Sequence, residues 1–250
     1  RGGSYMKKIF IFSILAFFMI FTNVTVTFAT GFGVGKINNH ERPILPYKNE
    51  IEENNGYYLG KDEKSVYLTF DCGYENGYTS SILDTLKEND VKATFFITGH
   101  YLTSSTDLVR RMTDDGHIIG NHTYAHKHFT KESSSDMLKD ISKLEEKYYD
   151  LMGSEISHFV RPPAGEFNKE ALNTLKNNDY KTIFWSLAYV DWYKDKYNGN
   201  DYAYNEVLKR IHNGAIILMH TVSKDNMMDL DKIIKKLKSD GYSFKSLYEL

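Results

Sequence analysis

The sequence predicts an α/β fold in which parallel strands alternate with helices and close, or nearly close, into a barrel. Three observations carry this. From Ser65 onward, short runs rich in β-branched and aromatic residues recur, and longer amphipathic segments separate them. Strands that alternate with helices pair in parallel, because a parallel crossover needs a long connection. Residues able to do chemistry stand at the C-terminal ends of the runs, the face on which a barrel builds its active site. An open doubly wound sheet is the structural alternative.

In chain order, Met6, Lys7 and Lys8 precede an apolar stretch from Ile9 to Phe21, and small residues come after it near Thr27-Phe28-Ala29. This is the order of a secretory signal peptide, placed at residues 1–29 with Arg1–Tyr5 as an upstream extension. The apolar core is short for a span of about 20 residues. Thr22, Asn23, Thr25 and Thr27 make the next segment more polar. Export with cleavage, to a secreted or extracytoplasmic location, is the expectation, with a retained membrane anchor as the alternative. Residues 30–64 are polar and interspersed with Gly, Asn and Pro, and read as an arm on the domain surface. Residues 65–250 form one catalytic domain.

The strand runs are Val66–Phe70, Ala93–Ile97, His117–Gly120, Ser157–Val160, Thr182–Leu187 and Ala215–Met219. Met137, Ile141, Leu144, Tyr148 and Leu151 keep one helical face at spacings of three and four. Met227, Leu230, Ile234 and Leu237 do the same before Gly241 stops the helix. Asp71 follows the first run, His122 the third, Arg161 the fourth and His220 the sixth, and Asp191 comes shortly past the fifth. Five such residues at one end of a sheet are hard to attribute to solvation. The formal net charge is -2 with no long run of one sign, which disfavours a nucleic-acid binder. Cys72 is the sole cysteine, so it forms no internal disulfide.

His122 and His126 have i, i+4 spacing, which on a helical turn puts both imidazoles on one side, as metal ligation requires. The plain alternative is two surface histidines, with His128 nearby. Placement at a strand end, together with the family resemblance of the surrounding stretches, favours ligation of a divalent metal, with zinc the expected ion.

Three stretches carry most of the remaining information: Thr69-Phe70-Asp71-Cys72-Gly73-Tyr74, Asn121-His122-Thr123-Tyr124-Ala125-His126 and Arg161-Pro162-Pro163-Ala164-Gly165. In this order they resemble the first three motifs of the polysaccharide deacetylases of carbohydrate esterase family 4. Val190-Asp191-Trp192 and Leu218-Met219-His220 look like the fourth and fifth. The resemblance runs from Val66 to the C-terminus and implies a distorted, incomplete (β/α) barrel. It is nearest to the delta-lactam-forming muramic acid deacetylases of endospore-forming bacteria. The stretches Tyr67–Gly77, Lys92–His100 and Arg161–Glu166 fit that branch, as does Gly31-Phe32-Gly33 in the arm. That branch implies N-acetylmuramic acid of spore-cortex peptidoglycan as substrate, on a glycan strand whose stem peptide an amidase has removed.

The same resemblance implies roles. Asp71 is the base that takes a proton from the attacking water, against a helix-capping role. Arg161 orients the Asp71 carboxylate, a task compatible with a structural ion pair. His220 is the acid that protonates the amine, and Asp191 fixes its tautomer and favours its charged form. Trp192 walls the sugar site or belongs to the core. Cys72 stands where most of the family has a metal-binding aspartate. Three readings compete: a thiolate ligand beside His122 and His126, a small non-ligating residue, or, ranked last, a nucleophile. Other classes remain open. A glycan-binding relative without catalysis has no use for a base and an acid. A cysteine-dependent amidase would be stopped by thiol alkylation. A chitin or xylan deacetylase is a variant of the favoured reading.

Overall fold

A computed structural model of the chain describes residues 30–35 and 38–250, so the expected signal segment lies outside the described residues. The elements begin with β1 (Thr30–Gly31), α1 (Lys48–Glu53), β2 (Gly56–Tyr57), β3 (Ser65–Cys72), α2 (Thr79–Glu88), β4 (Thr94–Ile97), α3 (Gly99–Ser104) and α4 (Thr106–Asp114). There follow β5 (Ile118–Asn121), α5 (Ser134–Met152), β6 (Phe159–Val160), β7 (Glu166–Phe167), α6 (Lys169–Asn177) and β8 (Lys181–Ile183). The chain finishes with α7 (Tyr202–Leu208), β9 (Ala215–His220), α8 (Lys224–Ser239) and β10 (Ser243–Phe244). Among the described residues no helix is long and apolar enough to cross a membrane.

β3 organises the sheet. It pairs in parallel with β4 over Thr69–Cys72 and, on its other edge, with β9 over Val66–Asp71. The main sheet runs β10-β3-β4-β5-β6-β8-β2, with β9 beside β3. Beyond β8 regular pairing stops, but Ser186 and Leu187 N–H both reach the Ile216 carbonyl and Leu218 N–H reaches the Leu187 carbonyl. The sheet therefore curls into an incomplete barrel, as predicted. The run expected at Thr182–Leu187 is divided: its first half is β8, and its second half stitches the seam.

Side-chain alternation assigns the two faces of β3. Val66, Leu68, Phe70 and Cys72 point outward into an apolar layer with Ile82, Leu83 and Leu86 of α2 and Leu230, Ile233, Ile234 and Leu237 of α8. Tyr67 points inward with Phe96, Phe159, Ile183 and Ile216. A strand covered on both faces is nearly all apolar, which is how the run was legible. Each fully buried Leu, Ile or Phe of this layer contributes about 1.5–3 kcal/mol.

The two predicted helices form as α5 and α8. Ser133 caps α5 by accepting from Asp136 N–H, and Gly153, at φ 73°, ends it. Ser223 caps α8 by accepting from Asn226 N–H. The arm does more than cover the surface: β2 joins β8 in parallel, and Phe32 stacks on Phe184 at 4.5 Å.

Candidate active site

Strand ends deliver the site. Asp71 and His220 are partners in register on β3 and β9, so their side chains leave the same face of adjacent strands. Arg161 follows β6, and His122 follows β5. Asp191 lies beyond the seam and reaches back to His220.

The Asp71–Arg161 pair is buried. Arg161 Nη1 donates to Asp71 Oδ1 at 2.8 Å, Nε to the Ile183 carbonyl at 3.1 Å and Nη2 to the Phe184 carbonyl at 3.2 Å. Its guanidinium lies 4.1 Å from the Phe96 ring centre. Gly120 leaves room for that ring, since a Cβ there would sit 2.5 Å from it. Arg161 is 0% exposed, so each of these contacts is shielded from solvent. Burial by itself would raise the Asp71 carboxyl, but the Arg161 charge holds it below the usual carboxylate range.

The imidazoles meet by a route the spacing did not foresee. Residues 122–128 are not helical. The Asn121 side chain accepts from Thr123 N–H at 2.8 Å, and Thr123 Oγ1 accepts from His126 N–H at 2.9 Å. Thr123 and His126 take left-handed φ values of 64° and 54°. This tight turn, not a helical one, brings His126 Nε2 to 3.2 Å from His122 Nε2. His122 Nδ1 donates to the Arg161 carbonyl at 2.9 Å, which leaves the Nε2 lone pair free. Burial lowers the pKa of both rings, that of His126 to about 4, so both are neutral at physiological pH.

On the other side, His220 Nδ1 donates to Asp191 Oδ1 at 2.7 Å and His220 N–H to Asp191 Oδ2 at 2.8 Å. Burial opposes a charged imidazole, yet the Asp191 carboxylate raises the His220 pKa above its ordinary value. Trp192 is 49% exposed with its ring 5.9 Å from that of His220, so it belongs to the mouth of the site and not to the core.

The described site thus sets a buried carboxylate with a lowered pKa beside an imidazole with a raised one, with two lone-pair imidazoles next to the carboxylate. The model of the family described as polysaccharide deacetylase matches residues 59–183. This chain belongs to the polysaccharide deacetylases, carbohydrate esterase family 4. It is a hydrolase of carbon–nitrogen bonds, and the family is generally metal-dependent. The chain is 47% identical over 244 residues to an uncharacterized 30.6 kDa protein of Geobacillus stearothermophilus, covering 95% of this chain and 92% of that one. It is 43% identical over 215 residues to the peptidoglycan-N-acetylmuramic acid deacetylase PdaA of Bacillus subtilis, covering 85% and 82% of the two. The solved structure of that protein, a family 4 carbohydrate esterase, superposes with a TM-score of 0.85 at 41% identity, over 89% of this chain and 96% of that one. The matched family segment contains Asp71, His122, His126 and Arg161, whereas Asp191 and His220 lie beyond it.

The imidazole pair fits a metal such as zinc. Two nitrogens about 2.0–2.1 Å from a tetrahedral ion stand about 3.4 Å apart, and the two Nε2 atoms here are 3.2 Å apart. Asp71 Oδ2, another lone-pair atom, lies 3.5 Å from His122 Nε2, an arrangement that favours a positive charge between them. Among the described residues no group of three or more His, Cys, Asp or Glu side chains is placed to hold a metal ion.

Cys72 does not join that pair. One residue past Asp71, it falls on the outward face of β3, fully buried in the apolar layer. Burial pushes its thiol well above its ordinary range, which keeps the metal-free thiol protonated and disfavours a nucleophile. Of the three readings of Cys72, this placement fits the small non-ligating residue best.

Proposed function

We propose that this chain removes the N-acetyl group of N-acetylmuramic acid in peptidoglycan, acting outside the cytoplasm on glycan strands that an amidase has freed of stem peptide. The liberated amine then closes on the lactyl carboxyl to give the muramic delta-lactam of spore cortex. Support for the sugar comes from the likeness to PdaA and from the motif stretches. Support for the chemistry comes from one observation: Asp71 and His220, in register on neighbouring strands, have environments that push their proton affinities apart.

Asp71 Oδ2, the carboxylate oxygen not engaged by Arg161, takes the proton of the attacking water. Arg161 keeps that carboxylate ionised and fixed. His220 Nε2, opposite the nitrogen bound to Asp191, delivers a proton to the departing amine. His122 and His126 would hold the divalent metal, which when bound polarises the amide carbonyl and acidifies water. Trp192 walls the sugar.

Mass spectrometry of stem-free glycan after incubation with the mature protein tests the proposal. Loss of acetyl mass from muramic acid, and then of water on ring closure, is expected. Loss confined to glucosamine would assign the chain to another N-acetylated glycan. No loss at all would leave a glycan-binding relative.

A further inference from the structure

Behind the His220–Asp191 pair lies a residue that neither spacing nor motif singled out. Asn226 sits in the first turn of α8 and is 0% exposed. Its Nδ2 donates to Asp191 Oδ2 at 2.6 Å and to the His220 carbonyl at 3.0 Å, and its Oδ1 accepts from Tyr189 Oη at 2.7 Å. We infer that Asn226 is a positioning residue for the acid of this reaction, holding Asp191 and the end of β9 in one geometry. The inference rests on the reading of His220 and Asp191 as the proton-delivering pair.

The hydrogen-bond inventory makes the amide directional. A carboxylate and a carbonyl only accept, so both amide hydrogens must face Asp191 and His220. The amide oxygen is then left for the Tyr189 hydroxyl, which donates. A flipped amide would set oxygen against oxygen twice in a buried place, so one orientation is enforced. Asp191 consequently receives three donors: His220 Nδ1 on Oδ1, and His220 N–H and Asn226 on Oδ2. A carboxylate gripped on both oxygens cannot rotate. It therefore keeps the His220 Nδ1 proton in place, and Nε2 stays turned to the substrate. Because Asn226 also binds the His220 carbonyl, the ring and its orienting carboxylate move as one body with α8. A buried Asn in a helix competes for backbone groups, and it shares the buried side of α8 with the apolar Leu230 and Ile233. A role through Asp191 accounts for it where a packing role does not.

The test uses the full mature chain, with acetate release from stem-free glycan as the rate and the downfield Nδ1 proton signal of His220 as the spectroscopic readout. Four variants are compared: N226A, Y189F, D191A and D191A/N226A. Outer hydrogen-bond partners of a functional imidazole typically contribute about tenfold to a hundredfold in activity. N226A should lower kcat by that factor, leave KM within about twofold, and broaden the His220 signal. Y189F keeps volume and removes only the hydroxyl that fixes the amide, so it should show a smaller loss of the same kind and decides the matter if N226A does not fold. D191A/N226A should be no slower than D191A, because Asn226 acts through Asp191. Wild-type kcat in both N226A and Y189F, or losses that multiply in the double variant, would overturn the inference while leaving the site reading intact. Wild-type kcat in D191A would overturn both.

Discussion

Replacing Arg161 by Met separates the ion pair from the packing around it. Arg161 is fully buried, Asp71 nearly so, and no solvent replaces the lost guanidinium. Removing one partner of a buried pair costs about 3–5 kcal/mol. The carbonyls of Ile183 and Phe184 lose their donors in the same step. At about 2–4 °C per kcal/mol for a chain of this size, Tm should fall by roughly 10 °C at neutral pH. The sign with pH follows from Asp71. In the wild type its folded pKa lies below the ordinary value, so the pair stabilises above that value and the contribution is lost as pH falls through the folded pKa. In R161M burial is opposed only weakly, the carboxyl is raised, and neutral pH is where the uncompensated charge costs most. The gap between R161M and wild type should therefore narrow as pH falls from neutral toward about 5. D71N/R161M removes both charges and should recover at least about 2 kcal/mol of the R161M loss. Thermal and denaturant unfolding of wild type, D71N, R161M and D71N/R161M at two pH values measures this. Stability losses that add within about 0.5 kcal/mol would refute a coupled buried pair.

D71N should release acetate about 10²- to 10⁴-fold more slowly while remaining folded by circular dichroism, and near-wild-type turnover would remove Asp71 from the chemistry. H122A and H126A should each lose metal by elemental analysis in step with activity, because each deletes one of two donors, and full occupancy in both would place the metal elsewhere. D191N withdraws the carboxylate that raises His220, so the alkaline limb of the rate profile should move to lower pH. An unmoved limb would assign the acid to another group. C72A should keep wild-type metal content, and the native thiol should resist alkylation equally with and without zinc, given its burial and raised pKa. Zinc-dependent protection of the thiol would restore the ligand reading.

The sheet was legible because its strands are covered on both faces and read as apolar runs that end at polar residues. Strand limits were less so: β3 carries on through Asp71 and Cys72, and Thr182–Leu187 divides at the seam. Both differences arise from pairing with neighbours, which a single segment does not encode. The His122–His126 spacing predicted the right contact by the wrong local structure, since a side chain, Asn121, and two left-handed residues replace a helical turn. An Asn just before the first histidine was the available signal, because Asn side chains fold the chain back on the following backbone. Asn226 was hidden for a different reason. It lies within an amphipathic helix beside charged neighbours, and only the tertiary packing of α8 against the end of β9 shows that it faces inward.

Why Cys72 can stand where the family resemblance implies a metal-binding carboxylate follows from the alternation that turns Asp71 inward. On β3 the inward positions carry Asp71, where Arg161 compensates a buried charge. The next position points into the apolar layer, where no cation stands ready. An aspartate there would have to turn back toward the imidazoles or be buried uncompensated at a cost of several kcal/mol. A protonated thiol has no such demand and packs as a small apolar group. The thiol at this position therefore leaves Asp71, His220 and their partners undisturbed, since these approach from the barrel interior. On the proposed reading of His122 and His126, two neutral imidazoles would carry no charge to offset a dication, and Asp71 would stand as the neighbouring anion. On that reading, base strength and metal affinity would be set by one carboxylate, of which Arg161 holds Oδ1 and leaves Oδ2.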